Sequence, residues 1–336
     1  MLKAFNRLDH SYRLRRDTIN CRTQVFHIDA EDFFVWNMKK TDSIKFGIIG
    51  TGMVGTAIGF LLKKAGHDIV HVSDRNSGAL RKAVELTGAV AVKDSSLMAD
   101  SVTCVIITTP DGNILSACEN LSQNPGIRGK YVFHMSGAGG LDLLSPAKRA
   151  GASVASIHPL QSFSSIESAI NNLPGSYFGV TADARARKTS FRIVSDLQGT
   201  PLEISPLQKP LYHAAACFAS NYFVTLMRVV EALCQACGMS AADARKAFVP
   251  LVAGSLKNIG QSGAVSALTG PIARGDVGTI QKHLEALREH AQDFLPLYAE
   301  LGKITVSVAL EKGTIHKKQA KQLADILKGV THEHTK

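Results

Sequence analysis

The chain has 336 residues, 45% of them apolar and 20% charged, the balance of a folded globular protein with room for two domains. Its formal net charge of +10 comes without any basic stretch interleaved with aromatics, so nucleic acid is excluded as the expected partner and a surface attracting small anions is preferred. No strictly apolar run approaches the roughly 20 residues that cross a bilayer, so no membrane span is expected.

The six cysteines are scattered. Cys234 and Cys237 form a C-x-x-C without a second ligand pair, so they read as core cysteines and no metal site is expected. A reducing cytoplasmic setting follows. Residues 1–42 read as an extension outside the fold, disordered or non-native: they lack periodicity and hold the single tryptophan, Trp36. Met38, just ahead of a lysine pair and the first strand, is the expected natural start.

From Ile44 the pattern sharpens. An apolar strand to Ile49 leads into Gly50-Thr51-Gly52-Met53-Val54-Gly55, then a helical stretch through Lys64, then a strand from Ile69 to Ser73. Strand, G-x-G-x-x-G, helix and strand within about 30 residues form the dinucleotide-binding fingerprint. Gly50 permits the tight turn, Gly52 lets backbone approach a pyrophosphate, and Gly55 lets helix and strand pack closely. The unpaired N–H groups of the helix start then face the phosphates. Ser73 stands where an NAD enzyme carries its ribose-binding acid, and Arg75 follows. A hydroxyl plus a guanidinium suits a 2′-phosphate, so NADP is favoured, while Asp74 keeps NAD open.

Two more strands end in polar turns, at Thr109-Pro110 and at Ser136-Gly137. Open α/β sheets bind ligands at such strand ends. "SVASIHPLQSF" supplies a strand running into His158-Pro159, and short strands near 177–181 and 201–204 extend the sheet domain to about Ser205. The expected organisation is a Rossmann dinucleotide-binding domain over 43–205 and an all-helical domain over 206–330.

The second half is helical. With Pro210 in its first turn, a helix runs to Gly238. At about 100° per residue, Lys209, His213, Ala216 and Ser220 share a wedge, with Tyr212 on one flank and Asn221 further round the other. Ionisable groups alternating with small residues leave space between them, which fits an active-site wall better than a core stripe. After a further helix, "SALTGPIARGD" (266–276) interrupts the helices with two glycines, a proline and an Arg/Asp pair. Asp276 is expected to cap the next helix or to hold Arg274.

In that order, "GIIGTGMVG", "SIHPLQSF", "KPLYHAAACFASNYF" and "ALTGPIARGD" resemble the Rossmann-like family whose C-terminal half is domain of unknown function 2520. That family lies within the 6-phosphogluconate dehydrogenase-like group, with pyrroline-5-carboxylate reductases, ketopantoate reductases and prephenate dehydrogenases. The resemblance spans about residues 43–330. It implies an NAD(P)-binding sheet domain, a helical domain that pairs in a homodimer, and a small-molecule cleft between them. His158-Pro159 is similar to the step in prephenate dehydrogenases whose histidine serves the substrate's hydroxyl. Lys209 and His213 are similar in position to the lysine and asparagine of hydroxyacid dehydrogenases. Thr269 and Gly270 resemble a loop that holds substrate and nicotinamide in pyrroline-5-carboxylate reductase.

The expected activity is therefore an NADP-dependent oxidoreductase that passes a hydride between NADPH and a small keto or imino acid. His213 is the expected proton donor, with Lys209 as its electrostatic partner. Asn221 and Ser136 orient the substrate, Thr269 closes over it, and Arg274 clamps a carboxylate. The rival is a non-catalytic NADP(H)-binding redox sensor, which needs no proton donor beside Lys209.

Overall fold

The computed structural model describes residues 43–329; the expectations for residues 1–42, Met38 included, lie outside the described residues. The chain begins β1 (Lys45–Ile49), α1 (Met53–Lys64), β2 (Asp68–Ser73), α2 (Ser77–Thr87), β3 (Val90–Ala91), β4 (Cys104–Ile107) and α3 (Ile114–Leu121). It continues β5 (Tyr131–His134), α4 (Ser145–Arg149), β6 (Ser153–Pro159), α5 (Ile166–Asn172), β7 (Tyr177–Ala182), α6 (Arg187–Asp196) and β8 (Thr200–Glu203).

These eight strands form one sheet in the order β3-β2-β1-β4-β5-β6-β7-β8. Only the β6–β7 pair is antiparallel. The inner strands are near-continuous runs of Val, Ile and Phe because both faces of a parallel sheet are covered. On one face Phe46, Ile48 and Phe133 pack with Ile58 and Leu62 of α1 and Ile193 of α6. On the other, Val105 and Ile107 pack with Ile114, Cys118 and Leu121 of α3. The expected Rossmann-like sheet domain with a helical C-terminal part is what the chain forms.

The glycine turn is local steric logic. Gly50 has φ +92°, and a Cβ there would lie 2.7 Å from the Thr109 backbone nitrogen. A Cβ on Gly55 would strike the Gly50 carbonyl oxygen and the Thr108 hydroxyl, whereas Gly52 faces open space. Gly50 N–H donates to the Ser73 carbonyl at 2.8 Å, which joins the turn to the end of β2.

Helices α7 (Lys209–Cys217) and α8 (Phe223–Ala236) are joined by a π-helical turn, Phe218–Tyr222. The wider turn, with about five rather than four residues per hydrogen-bonded loop, breaks the 100° spacing. Lys209, His213 and Ala216 lie ahead of it in the regular helix and keep the expected spacing, whereas Ser220 and the exposed Asn221 fall within the π turn. By length and composition the combined helix Lys209–Ala236, 28 residues with an 18-residue stretch of mean hydropathy 1.2, could cross a membrane. Small and polar residues interrupt the stretch, so no unbroken apolar run of that length stands out in the sequence.

Then come α9 (Ala241–Ala267), α10 (Val277–His290), α11 (Leu295–Lys312) and α12 (Lys317–Gly329). Ile280, Leu284, Leu295, Val306, Leu323 and Leu327 make the core of α10–α12. By contrast α8 buries only Cys234 and α9 only Ala244.

Candidate active site

A cleft of ≈ 260 Å³ opens where β4, β5 and β6 end. Thr108, Thr109 and Asp111 line it from the turn after β4, and Met135 and Ser136 from the turn after β5. His158 and Pro159 line it from the end of β6, and Val54 from the first turn of α1. Four expected site residues, Val54, Thr109, Ser136 and His158, thus meet in one place. The glycine turn adjoins it, since the Thr108 hydroxyl donates to the Gly50 carbonyl.

Ser136 is the best-anchored of these. Its hydroxyl donates to Asp111 at 2.8 Å and accepts from Gly139 N–H at 2.8 Å. Its backbone N–H donates to His134 Nδ1 at 3.1 Å. From behind, Lys209 Nζ donates to the Ser136 carbonyl at 3.0 Å and to the Ser156 hydroxyl at 2.8 Å. Lys209 is only 2% exposed. Burial pulls its pKa down to about 8, against the opposing pull of Asp111. It braces the Ser136 turn and does not line the cleft itself.

His158 is flanked by two side chains of α7. Its Nδ1 is 3.1 Å from the Tyr212 hydroxyl, and its ring meets His213 edge-on with centroids 5.7 Å apart. Burial first, then Lys209 and His213, push the His158 pKa down to about 4, so the imidazole is neutral at pH 7. Gly137 makes this packing feasible: a Cβ there would strike His213, and would lie 2.7 Å from His158 Nε2.

The loop 266–276 is placed elsewhere. Ile272 and Ala273 are buried, while Thr269 and Arg274 are exposed. Lys312 of α11 ties the loop down by donating to the Ser266 and Leu268 carbonyls at 2.8 and 2.7 Å. Within one copy of the chain, Thr269, Arg274 and Asn221 are not among the cleft's lining residues. Asp276 is the cap of α10: Thr279 N–H donates to it at 3.0 Å and the Thr279 hydroxyl at 2.7 Å.

The residues present fit a dinucleotide. No side chain caps α1, so its first turn leaves N–H groups for an anion. Gly52 leaves open room for a pyrophosphate. The Thr109 hydroxyl is buried without a partner among the described residues, and a buried orphan donor beside a cleft calls for a ligand atom. At the β2 end, Ser73 is buried. The Asp74 carboxylate accepts from the Thr51 hydroxyl at 3.0 Å and from Asn76 N–H at 2.7 Å, and from Thr51 N–H as well, while Arg75 is exposed beside it. Pro110, between Thr109 and Asp111, starts the short helical turn that carries Asp111 to the cleft.

Sequence reasoning missed Asp111, Ser156 and Gly137 as site residues and treated Tyr212 as a flank. Asp111 could have been found, since it directly follows the Thr109-Pro110 turn. Ser156 could not, because nothing local marks one buried strand serine as the partner of a distant lysine.

Sheet order and cleft define the class: an α/β dinucleotide-binding fold whose site lies at the strand ends, joined to a helical part. More particularly, residues 36–159 match the Rossmann-like domain and residues 176–305 match the Domain of unknown function (DUF2520). No curated protein matches the chain. A Thermotoga maritima protein of solved structure is similar over 80% of this chain and 99% of its own, with 25% identity and TM-score 0.65. A reductive aminase from Aspergillus terreus, solved with NADPH and ethyl-5-oxohexanoate, shares the fold at 16% identity and TM-score 0.56 over 87% of this chain and 95% of its own. Plasmodium falciparum pyrroline carboxylate reductase, solved with NADP bound, does so at 12% identity and TM-score 0.52 over 84% and 98%.

Proposed function

We propose that the chain is an NADP(H)-dependent oxidoreductase acting on a small keto or imino acid bound beside His158. The observation that carries this reading is the adjacency of the glycine turn and the Ser136–His158 cleft on neighbouring strand ends. A dinucleotide lying along these ends would reach from one to the other. Fold neighbours solved with NADPH or NADP support the cofactor. So does Asp74, whose carboxylate is taken up by Thr51 and Asn76 while Arg75 stays free for a 2′-phosphate.

When bound, the cofactor supplies a hydride to an sp² carbon. The protein's task is to hold that carbon in place and to support the charge that grows on its oxygen or nitrogen. Neutral His158 donates a hydrogen bond to the heteroatom. His213, half-buried against it, is the proton source. The Lys209 cation acts through the Ser136 turn: it holds Ser136 in register and adds positive potential without touching the substrate. Asp111 fixes the Ser136 hydroxyl.

Thr269 and Arg274 join the site through a second copy of the chain, which pairs along α8 and α9. Leu251, Leu256 and Val249 of α9 are 63%, 58% and 55% exposed, and Phe218 and Val224 are 70% and 66% exposed. Large apolar side chains exposed to this degree on neighbouring helices support a contact surface there.

The test is a fluorescence titration with NADPH and NADH, followed by turnover on keto and imino acids. NADPH should bind much more tightly than NADH, and Arg75→Ala should weaken NADPH roughly 10- to 100-fold while leaving NADH nearly unchanged. His213→Ala should lower kcat about 100-fold with NADPH binding intact. Binding without turnover on any such acid would favour the redox-sensor reading, and binding of neither nucleotide would end both.

A further inference from the structure

His158 and Tyr212 reach each other from different parts of the fold, one from the end of β6 and one from the first turns of α7. His158 Nδ1 and the Tyr212 hydroxyl are 3.1 Å apart, and the rings meet edge to face. Either atom could own the shared proton. The choice decides what the opposite edge of the imidazole offers the cleft, because a neutral ring carries one N–H and one lone pair.

Proton counting points one way. The phenol holds its proton firmly, since burial pushes its pKa up. Its oxygen lies over Gly179, where a Cβ would be 2.6 Å away, and the Gly179 backbone N–H faces that oxygen. An oxygen faced by a donor cannot send its own proton in that direction. The acceptor within hydrogen-bonding distance of the hydroxyl, among the described residues, is His158 Nδ1. The reverse arrangement would leave the half-buried O–H without an acceptor among the described residues, which folded proteins disfavour.

Among the described residues the other edge of the ring has no such partner. Nε2 lies against Gly137, at 2.7 Å from where a Cβ would stand, and His158 lines the cleft. The charged and titratable groups around the ring are Lys209, His213, Asp111 and His134, and burial first, then the Lys209 cation, holds it neutral. We infer that Tyr212 is a positioning residue: its hydroxyl, seated over Gly179, fixes His158 as the Nε2–H tautomer, so the cleft receives a hydrogen-bond donor aimed at a carbonyl oxygen or imine nitrogen. The tautomer stands on the geometry alone. What the N–H is aimed at rests on the oxidoreductase reading.

The experiment is long-range proton–nitrogen NMR on the uniformly nitrogen-labelled full chain near neutral pH, with His158→Gln to assign the His158 signals. The wild type should show Nδ1 bare and Nε2 protonated. Tyr212→Phe should show both tautomers in exchange, with unchanged circular dichroism and about tenfold lower kcat at unchanged NADPH affinity. A proton on Nδ1 in the wild type, or a tautomer indifferent to Tyr212→Phe, overturns the inference. Should Tyr212→Phe fail to fold, the wild-type spectrum alone decides. An Nε2–H tautomer in a protein that turns over no keto or imino acid overturns the oxidoreductase reading and leaves Tyr212's role standing.

Discussion

Lys209 brings an ammonium into a place with almost no solvent, and the fold must hold it there. Two hydrogen bonds, to the Ser136 carbonyl and the Ser156 hydroxyl, replace part of its hydration. The remaining cost appears as a pKa drawn from 10.5 down to about 8. In the unfolded chain the lysine regains its ordinary pKa, so between about pH 8 and 10.5 the unfolded state binds more protons than the folded one. Stability relative to Lys209→Met should therefore rise with pH across that window, by up to about 3 kcal/mol at about 1.4 kcal/mol per pKa unit. Urea unfolding of both proteins at intervals through the window measures it, and a difference that stays flat would remove the buried charge. His134 and His158 behave alike on the acid side. Both are pushed from 6.5 to about 4 by burial, so the stability they contribute is complete above 6.5 and is lost as pH falls toward 4. His158→Gln should flatten part of that acid slope in the same unfolding experiment.

At the scale of elements, the β1–turn–α1 unit shows how strictly some positions are determined. The Gly55 Cα faces the Gly50 carbonyl and the Thr108 hydroxyl so closely that a methyl group has no room. Gly55→Ala must push α1 off the sheet or break the Thr108–Gly50 bond. It should cost about 1–3 kcal/mol of stability by overpacking, whereas Gly52→Ala, where the space is open, should leave stability nearly unchanged and lower nucleotide affinity by placing a methyl where the pyrophosphate would lie. Thermal unfolding and nucleotide titration of the two variants compare them directly. This unit was legible in the sequence because its determinants are local: glycines at fixed offsets between a strand and a helix. The turns at Thr109 and Ser136 were legible for the same reason. The wedge on α7 was legible to Ala216 and not to Ser220, since a π turn is a change of helical register that no periodicity count anticipates. Long-range pairs stayed hidden. Lys209 looked like a cleft residue from its spacing, yet it braces Ser136 from 73 positions away in sequence. The helix α12 falls inside the expected helical span and packs through Ala320, Leu323 and Leu327, which are buried on the side away from its lysines.

For the whole molecule, the question is why the helical part exposes so much of what a fold normally buries. Its core lies in α10–α12. The 27-residue α9 has a single buried residue, and the long helix of α7 and α8 is apolar enough for a bilayer yet scarcely covered. Either lipid or protein must cover that surface. Arg228 and Arg245 both bridge Glu231 on the α8–α9 pair, at 3.9 and 2.8 Å, and ion pairs set among the apolar residues favour a protein contact over the hydrocarbon of a bilayer. The N-terminal end of the long helix is likewise committed to the sheet through Lys209. The proposed second copy over α8 and α9 would account for the exposed leucines and would give the Thr269–Arg274 loop a site to serve, since neither residue lines the cleft of its own copy. On this view pairing and activity are coupled. Leu251→Glu combined with Leu256→Glu should convert a dimer near twice 36.0 kDa into a monomer in sedimentation velocity. The same variant should keep NADPH binding, whose determinants lie within one sheet, and lose at least tenfold in turnover, because the loop is no longer delivered. A monomeric wild type, or a monomeric variant with full turnover, would leave the loop without this role. Partition of the wild type into vesicles in place of dimerisation would assign the face to lipid.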